Sequence, residues 1–335
     1  MRKDELTRRQ FLRFCTAFAA GSLLAACKTG RTDEAQPTGG ISTGVLTIIT
    51  TAPPPSPTHS ARIEVLTSGL NFPEGPAFDA QGILWCTELQ GGNLVRWQDG
   101  KVQRYPTQGG PNGMTFDHKN RAWVTDSQQN AIRRFEPATG KWETIADKLD
   151  GHLLGAPNDL AFDPLGNLVF TCPVVWSEEA VGYVCCLKPD GTVVKIAEGL
   201  HFPNGLEFID NGQILVVAES RRGRLSAGRW DPAAVKWADP RPWAEVGIDG
   251  PDGMVAGADG LLYVAMYGYG QIKAVDAQGK TARVYELPGK NPTNVAIDPS
   301  GKLGLVVTET EHGQLLSLPD IKPGTAIFDG GDAWQ

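Results

Sequence analysis

Residues 157–170 read PNDLAFDPLGNLVF, a Pro-x motif followed by an apolar strand, a turn and a second apolar strand. This order recurs six times, and the copies begin at Pro73, Pro111, Pro157, Pro203, Pro251 and Pro292. Successive starts lie 38, 46, 46, 48 and 41 residues apart. A hairpin of two more β-prone segments often completes the repeat. Four short strands in a repeat of about 45 residues are typical of one β-propeller blade.

Six such repeats fill residues 61–335, so the sequence predicts an all-β protein built as a six-bladed β-propeller. The 40 glycines and 24 prolines suit the many tight turns of this architecture. A propeller closes when strands from the two ends of the chain pair. Residues 62–66, which read RIEVL before the first repeat, are the predicted closing strand.

The first 26 residues are predicted to be an export signal. Residues 7–13 read TRRQFLR, the form of a twin-arginine signal. The apolar stretch 14–26 is shorter than the roughly 20 residues that span a bilayer. It ends in Leu-Ala-Ala before Cys27, which resembles a lipobox and predicts lipidation of Cys27. The alternative is a plain signal peptide in which Cys27 is incidental.

Residues 27–60 are rich in Thr, Pro and Gly and are predicted to be a tether. We therefore expect an exported protein of the cell envelope, on the extracytoplasmic face, that meets the membrane only through its lipid anchor. Loss of residues 1–26 would remove five basic and two acidic side chains, changing the formal charge from −7 to −10. This acidic balance argues against a nucleic-acid partner, and we expect a monomer.

Four cysteines remain after the signal: Cys86, Cys172, Cys185 and Cys186. An exported protein can carry disulfides, but adjacent residues of a strand point to opposite faces, so Cys185 and Cys186 should not pair. We interpret all four as small buried residues. The chain also lacks the motifs of serine-hydrolase elbows, phosphate-binding loops and dinucleotide-binding folds.

The residue after each proline should lie at one mouth of the central channel, because the first strands of all blades line it. These residues are Glu74, Asn112, Asn158, Asn204, Asp252 and Thr293. All have oxygens that can bind a cation, and such hard ligands suit calcium first, then magnesium or manganese, with zinc as a further alternative. The competing interpretation is ordinary Pro-Asn-Gly turn chemistry, which six copies in register weaken.

Four segments resemble motifs of the gluconolactonase/regucalcin (senescence marker protein) family: 72–79 (FPEGPAFD), 157–160 (PNDL), 202–206 (FPNGL) and 251–254 (PDGM). The resemblance extends over about residues 62–318. It implies one divalent cation held by Glu74, Asn204 and Asp252, with Asn158 binding substrate or a metal-bound water. It also implies a metal-dependent hydrolase of a sugar lactone or related ester, in which the cation polarises the carbonyl and Asp252 is the general base.

Other residues of the predicted mouth have weaker assignments. Asn112 and His201 are further candidates for substrate binding, although such a histidine is more often an ordinary loop side chain. Trp176 lies in the longer loop 174–181, a candidate lid, whereas the basic run 221–224 (RRGR) is interpreted as a solvated turn. Acids end four second strands and are interpreted either as supports of the channel or as solvated ends: Glu88, Asp126, Glu219 and Glu309.

Two positions depart from the family pattern. Ala156 stands where relatives often carry Arg or Ser, and Cys172 stands where they commonly carry Asp. Loss of that acid would either remove a substrate contact or ion site or be a neutral packing change, which we favour. Two alternatives to lactone hydrolysis remain: a non-catalytic propeller that binds a ligand or protein around a structural cation, and an enzyme that hydrolyses organophosphates or other esters at the same site.

Overall fold

A computed structural model describes residues 58–321 and 327–334. The predicted signal peptide, Cys27 and the tether up to residue 57 lie outside the described residues. Within them the chain is almost entirely β-structure, with two short 3₁₀ turns at Ser220–Arg222 and Gly331–Ala333. None of the described helices has the length and apolar character needed to cross a bilayer.

The described strands form six four-stranded antiparallel sheets, which are the blades of the predicted propeller. Blade 1 holds β2 (Pro73–Phe78), β3 (Leu84–Glu88), β4 (Asn93–Gln98) and β5 (Lys101–Pro106). Blade 2 holds β6 (Pro111–Phe116), β7 (Ala122–Asp126), β8 (Ala131–Glu136) and β9 (Lys141–Ala146). A small hairpin, β10 (Lys148–Leu149) and β11 (His152–Leu153), leads into blade 3.

The remaining blades repeat the same order. Blade 3 holds β12 (Leu160–Phe162), β13 (Leu168–Cys172), β14 (Gly182–Leu187) and β15 (Val193–Leu200). Blade 4 holds β16 (Pro203–Ile209), β17 (Ile214–Glu219), β18 (Arg224–Asp231) and β19 (Lys236–Glu245). Blade 5 holds β20 (Pro251–Ala256), β21 (Leu262–Met266), β22 (Gln271–Val275) and β23 (Thr281–Glu286). Blade 6 holds β24 (Pro292–Ile297), β25 (Leu305–Glu309), β26 (Gln314–Leu318) and β1 (Glu64–Ser68).

The ring closes as the sequence predicts. Strand β1 comes from the beginning of the described chain and pairs antiparallel with β26, with Glu64 opposite Ser317 and Ser68 opposite Gln314. Five of the six first strands begin at the proline of their repeat. In blade 3 the first strand begins at Leu160, because only single hydrogen bonds around Asn158 and Asp159 extend its pairing with β13.

An aspartate closes the turn between the first and second strands of several blades. In blade 1 the Asp79 carboxylate accepts the backbone N–H of Gln81 and Ile83, at 3.0 and 2.9 Å, and the indole N–H of Trp85 at 2.9 Å. Asp117, Asp163 and Asp298 close the corresponding turns. This local acceptor is the physical reason that the Phe-Asp and Ile-Asp steps recur in the repeats.

The core lies between neighbouring blades, where apolar faces of adjacent sheets meet. Trp123 of blade 2 packs edge-on against Phe162 of blade 3, with ring centroids 5.6 Å apart. The C-terminal Trp334 joins this cluster, 4.6 Å from Trp123, and donates its indole N–H to the Gly166 carbonyl at 2.7 Å. The tail thereby fastens blades 2 and 3 independently of the strand closure.

The four cysteines are buried, and none of the cysteines in the described residues forms a disulfide, as the sequence predicted. Cys185 belongs to the cluster between blades 2 and 3, whereas Cys186 belongs to the cluster between blades 3 and 4. The two side chains therefore leave the strand on opposite faces. Burial raises the pKa of the Cys186 thiol to about 12, which keeps it protonated and inert.

Glycine at the third position of the Pro-x-Gly motif allows the first strands to approach one another closely. A Cβ built on Gly205 would lie 2.2 Å from the Asp252 carbonyl oxygen of the next blade, and one on Gly75 would lie 2.4 Å from the Asn112 carbonyl oxygen. A Cβ on Gly253 would meet the Asn294 amide at 1.9 Å. The glycine is thus required by packing around the axis.

We expect Gly205→Ala to destabilise the protein by about 3 kcal/mol, because backbone of the neighbouring blade cannot withdraw from the new methyl group. Gly191→Ala is the matched control, since its Cβ meets open space and it bears only the cost of a left-handed backbone, about 1 kcal/mol. Urea denaturation of both variants checks this. Equal losses of stability for the two variants would contradict close packing at the axis.

Candidate active site

The six residues that follow the repeat prolines are all buried, and they lie at the start of the innermost strands or, for Asn158, just before it. In five blades the pairing of first and second strands shifts register at or just after this residue. Such bulges turn a side chain out of the regular alternation of a strand. The bulge therefore re-aims the residue after the proline.

Hydroxyl groups lock these residues into a ring. Thr87 of blade 1 donates to the Asn112 carbonyl of blade 2 at 2.6 Å, and Thr171 of blade 3 donates to the Asn204 carbonyl of blade 4 at 2.7 Å. Thr293 of blade 6 donates to the carbonyl of Pro73 at 2.8 Å. Each of these bonds fixes the position of one blade relative to the next at the mouth of the channel.

Glu74, Asp252 and Asp159 form an electrostatically interacting carboxylate cluster. Burial, followed by the charges of Asp252 and Asp159, raises the pKa of Glu74 well above its usual value. Burial, followed by the charge of Asp159, does the same to the pKa of Asp252, and the Asn204 amide opposes this by hydrogen bonding. The site thus concentrates negative charge whose partners are neutral donors and other acids.

Asn204 completes this group, and its side-chain oxygen suits a cation. Its Nδ2 lies 3.2 Å from the hydroxyl of Ser220, whereas its Oδ1 is buried with no hydrogen-bond donor among the described residues. A buried carbonyl oxygen without a partner is costly unless a donor or a cation meets it. Glu74, Asn204 and Asp252 therefore fit a divalent cation that prefers oxygen ligands.

Sequence reasoning missed the two residues that occupy the third motif position in place of glycine. Asp159 and Asn294 stand where the other four blades have Gly75, Gly113, Gly205 and Gly253. Their side chains meet, with Asn294 Nδ2 3.5 Å from Asp159 Oδ2. Burial raises the pKa of Asp159 to about 6. The departure from glycine in the repeat was the available signal.

The structure places the other predicted substrate-binding residues at the same mouth. Asn112 lies in the ring, with Nδ2 3.2 Å from the Ser127 hydroxyl. His201 lies on the rim just before Pro203, with Nδ1 3.1 Å from the Glu178 carbonyl and Nε2 3.2 Å from the Arg222 guanidinium. Asn158 is buried in the ring, and its carbonyl accepts the Thr125 hydroxyl.

Comparison with known proteins agrees with the repeat pattern. The model of the SMP-30/gluconolactonase/LRE-like region matches residues 72–311, which is most of the described propeller. The chain belongs to this family.

Individual members are more distant. A gluconolactonase of Zymomonas mobilis is 29% identical over 49% of this chain, and the match spans only 53% of that relative. A lactonase, drp35, of Staphylococcus aureus is 24% identical over 68% of this chain and 74% of its own. A diisopropyl-fluorophosphatase of Loligo vulgaris is 27% identical over 74% of this chain and 88% of its own.

Solved structures share the fold closely. A gluconolactonase from Xanthomonas campestris superposes with a TM-score of 0.69 at 27% identity, covering 80% of this chain and 96% of its own. A regucalcin from Agrobacterium tumefaciens, described as a calcium-binding protein, superposes with a TM-score of 0.70 at 22% identity, covering 81% and 97%. Family and relatives together indicate an enzyme of the lactonase and ester-hydrolase type.

The acids at the ends of second strands brace the loops that carry the family motifs. Glu88 accepts the Asn71 backbone N–H at 3.0 Å, and Glu219 accepts that of His201 at 3.2 Å. Asp126 and Glu309 do the same for Gly110 and Asn291. These carboxylates are buried, so the alternative of solvated strand ends was wrong.

Cys172 occupies the equivalent position in blade 3. It is fully buried, and burial raises the pKa of its thiol to about 12. The Tyr183 hydroxyl accepts the Gly155 backbone N–H at 2.7 Å, the bond that the acids supply in blades 1, 2, 4 and 6. Ala156 follows with a positive φ of 51°, and its N–H is bound by Asn130. In blade 3 a tyrosine therefore replaces the bracing acid.

A second group of possible ligands lies at the end of β25 and in the turn that follows it. Glu309, Glu311 and His312 place one ligand atom each within 4.8 Å of the others. The Glu309 oxygens already accept the backbone N–H groups of Asn291, Glu311 and His312. We interpret this group as the bracing acid of blade 6.

Glu207 is a partly buried acid of the innermost strands and gives a pH-dependent prediction. Burial raises its pKa from 4.5 to about 7, against two backbone N–H donors, Phe208 and Ala256. Because the folded-state pKa is the higher one, its stabilising contribution is full below about pH 4.5 and is lost as the pH rises through 7. The loss amounts to up to about 3 kcal/mol.

Glu207→Gln should flatten the fall in unfolding free energy between about pH 4.5 and about pH 8, measured by urea denaturation with chelator present. The slope is the readout, because glutamine leaves one backbone N–H without an acceptor at every pH. Glu245→Gln, at an exposed glutamate, is the control and should keep the wild-type slope. An unchanged slope for Glu207→Gln would show that Glu207 is not buried as a neutral acid.

Proposed function

We propose that the protein is a divalent-cation-dependent hydrolase of a lactone or related ester, acting at the mouth of the central channel. The observation that carries the proposal is the buried, unpartnered Oδ1 of Asn204 beside the interacting carboxylates of Glu74 and Asp252. Membership of a family whose named members include gluconolactonases and a lactonase supports it.

Glu74, Asn204 and Asp252 would hold the cation, for which calcium is our first expectation. When bound, the cation supplies a Lewis acid that polarises the substrate carbonyl. Glu74 contributes charge and position at the start of the first strand of blade 1. Asn158 and Asn112 present amide groups at the mouth that can orient the substrate or a water, and His201 contributes from the rim.

Asp252 is the proposed general base. Its carboxylate is buried at the mouth beside the Asn204 amide, and the family resemblance implies that this aspartate accepts the proton. It takes a proton from the water that attacks the carbonyl carbon. As the ester C–O bond breaks, the same proton passes to the leaving alkoxide and restores the carboxylate.

We further propose that the enzyme works outside the cytoplasm, on a lipid anchor at Cys27. The twin-arginine form of residues 7–13 and the Leu-Ala-Ala-Cys sequence support this proposal. The tether would then hold a monomeric propeller near the membrane surface, where small lactones or esters reach it by diffusion.

Hydrolysis of a phosphorus ester is a second candidate activity. The specific observation in its favour is the relative named diisopropyl-fluorophosphatase, whose length this chain matches over 88%. A phosphoryl oxygen could replace the carbonyl oxygen at the same residues, so diisopropyl fluorophosphate belongs in the substrate panel.

We expect Glu74→Gln and Asp252→Asn each to lower kcat/KM for the best lactone by roughly a hundredfold or more, because each removes charge from the cation site and the second also removes the base. Chelation should abolish the activity, and added calcium should restore it. Initial rates on a panel of sugar and alkyl lactones check this, with Glu245→Gln as the control.

Two outcomes would contradict the proposal. A protein that binds a cation but turns over no lactone or ester would be a binding propeller with a structural ion. A protein whose melting temperature does not respond to any divalent cation would show that the assignment of Glu74, Asn204 and Asp252 is wrong.

A further inference from the structure

Arg221 lies in the 3₁₀ turn that follows β17, at a position where the sequence predicted a solvated turn. That interpretation was wrong for Arg221, whose side chain is only 16% exposed, whereas Arg222 of the same turn is exposed. Nη1 pairs with Asp249 at 2.9 Å, and Nη2 pairs with Glu178 of the loop 174–181. The guanidinium lies over the ring of Trp176, 4.9 Å from its centroid.

The two acidic partners of Arg221 differ in their exposure to solvent. The Asp249 side chain is 18% exposed, whereas that of Glu178 is 71% exposed. Nε of Arg221 is buried and has no acceptor among the described residues. Nε and Nη2 form one edge of the guanidinium, so this edge contacts one solvent-exposed carboxylate through a single nitrogen.

A carboxylate binds such an edge best through two parallel N–H bonds, which a lone contact to Nη2 does not achieve. Glu178 is therefore a weak occupant, because its exposure to water leaves it little net gain from the pair. Trp176 and Phe202, whose rings meet at a centroid distance of 4.6 Å, form an apolar wall beside this edge. The edge combines two strong donors with shelter from water.

Arg221 lies beside the candidate active site. The preceding residue, Ser220, contacts Asn204 Nδ2 and donates to the Pro251 carbonyl at 2.6 Å. The Arg221 backbone N–H binds the carbonyl of His201 at 3.3 Å. The arginine thus stands on the rim where blades 4 and 5 contribute Asn204 and Asp252.

Two more arginines follow Arg221 in the chain. Arg224 pairs with Glu219 at 2.9 Å, whereas Arg222 lies beside His201, whose pKa is lowered by burial and by the Arg222 charge. Replacement of the Glu178 carboxylate by a substrate carboxylate would leave the charge balance around Arg221 unchanged.

We propose that Arg221 binds a carboxylate of the substrate through Nε and Nη2, and that this carboxylate replaces Glu178. The inference rests on the proposed function and narrows its substrate to lactones or esters that carry a free carboxylate away from the reacting carbonyl. Arg221 would then be a specificity-determining residue, and Glu178 a stand-in for the substrate group.

The test compares two five-membered lactones. The γ-lactone of α-hydroxyglutaric acid carries a carboxylate where γ-valerolactone carries a methyl group. We expect Arg221→Gln to raise KM for the carboxylate lactone by roughly ten- to a hundredfold, the value of a charge-assisted pair, and to change KM for γ-valerolactone by less than about twofold. Arg221→Lys keeps the charge but loses the fork, and should show most of the same loss.

Glu178→Gln should lower KM for the carboxylate lactone alone, because it removes the competing anion. This variant changes an exposed side chain, so it keeps the test valid if Arg221→Gln folds poorly. Arg229→Gln, an exposed arginine farther along blade 4, controls for loss of one positive charge. Equal effects of Glu178→Gln on both lactones would mean that Glu178 only fastens the loop, and would overturn the proposal.

Calorimetric titration separates this inference from the proposed function. If neither lactone is hydrolysed, tighter binding of the carboxylate lactone that disappears in Arg221→Gln would still support the role of Arg221. If both lactones are hydrolysed and bound equally well, with Arg221→Gln affecting both alike, the carboxylate inference fails while lactone hydrolysis stands.

Discussion

Close approach of the six first strands around the central axis is the constraint on which the rest of the structure depends. Gly205 and Gly75 leave no space for a Cβ because the next blade's backbone stands within 2.4 Å of where it would lie. Hydroxyls of second strands, such as that of Thr171, then bond the first strand of the next blade at the mouth. Strand β1 closes the ring away from the axis, and the C-terminal Trp334 fastens blades 2 and 3. The first strands therefore fix the spacing of the blades at the axis, and contacts farther out in the ring maintain it.

That spacing has an electrostatic consequence. Side chains that begin the first strands are buried, so their charges interact more strongly than they would in water. Glu74 and Asp252 each gain stability from hydrogen-bond donors, but burial and mutual repulsion outweigh this and raise both pKa values. Either protonation or a bound cation would reduce the repulsion among these carboxylates, and the unpartnered oxygen of Asn204 favours the cation. The same packing that stabilises the ring thus buries the carboxylates that favour a bound cation.

The blades and their closure could be predicted because they depend on local chemistry that repeats. Three features recur in the sequence at a fixed interval: turn aspartates such as Asp79, glycine at the third motif position and alternating apolar residues. The ring of candidate ligands followed from the same register. Asp159 and Asn294 replace glycine at the third motif position, which is visible in the sequence. Their contact across the axis depends on the geometry of the closed ring and is not.

Arg221 could not be predicted for a different reason. Its surroundings come from three blades: Glu178 from blade 3, its own turn from blade 4, and Asp249 from the segment that opens blade 5. In the sequence these residues are separated by more than forty and by nearly thirty positions, and nothing in the run RRGR distinguishes a buried arginine from a solvated one. Bracing acids such as Glu219 were ambiguous in the same way, since their burial depends on the loop above them.

The positions of opposite charges at the mouth suggest how a substrate would be oriented. The axis is acidic and fits a cation, so the polarised carbonyl belongs there, whereas the rim beside blades 4 and 5 offers the guanidinium edge of Arg221. A substrate with its carbonyl and an anion at opposite ends would match this pattern in one orientation only, because reversal would bring the anion against Asp159 and Glu207. Under the proposed role of Arg221, like-charge repulsion at the axis therefore excludes the wrong orientation as effectively as the arginine selects the right one.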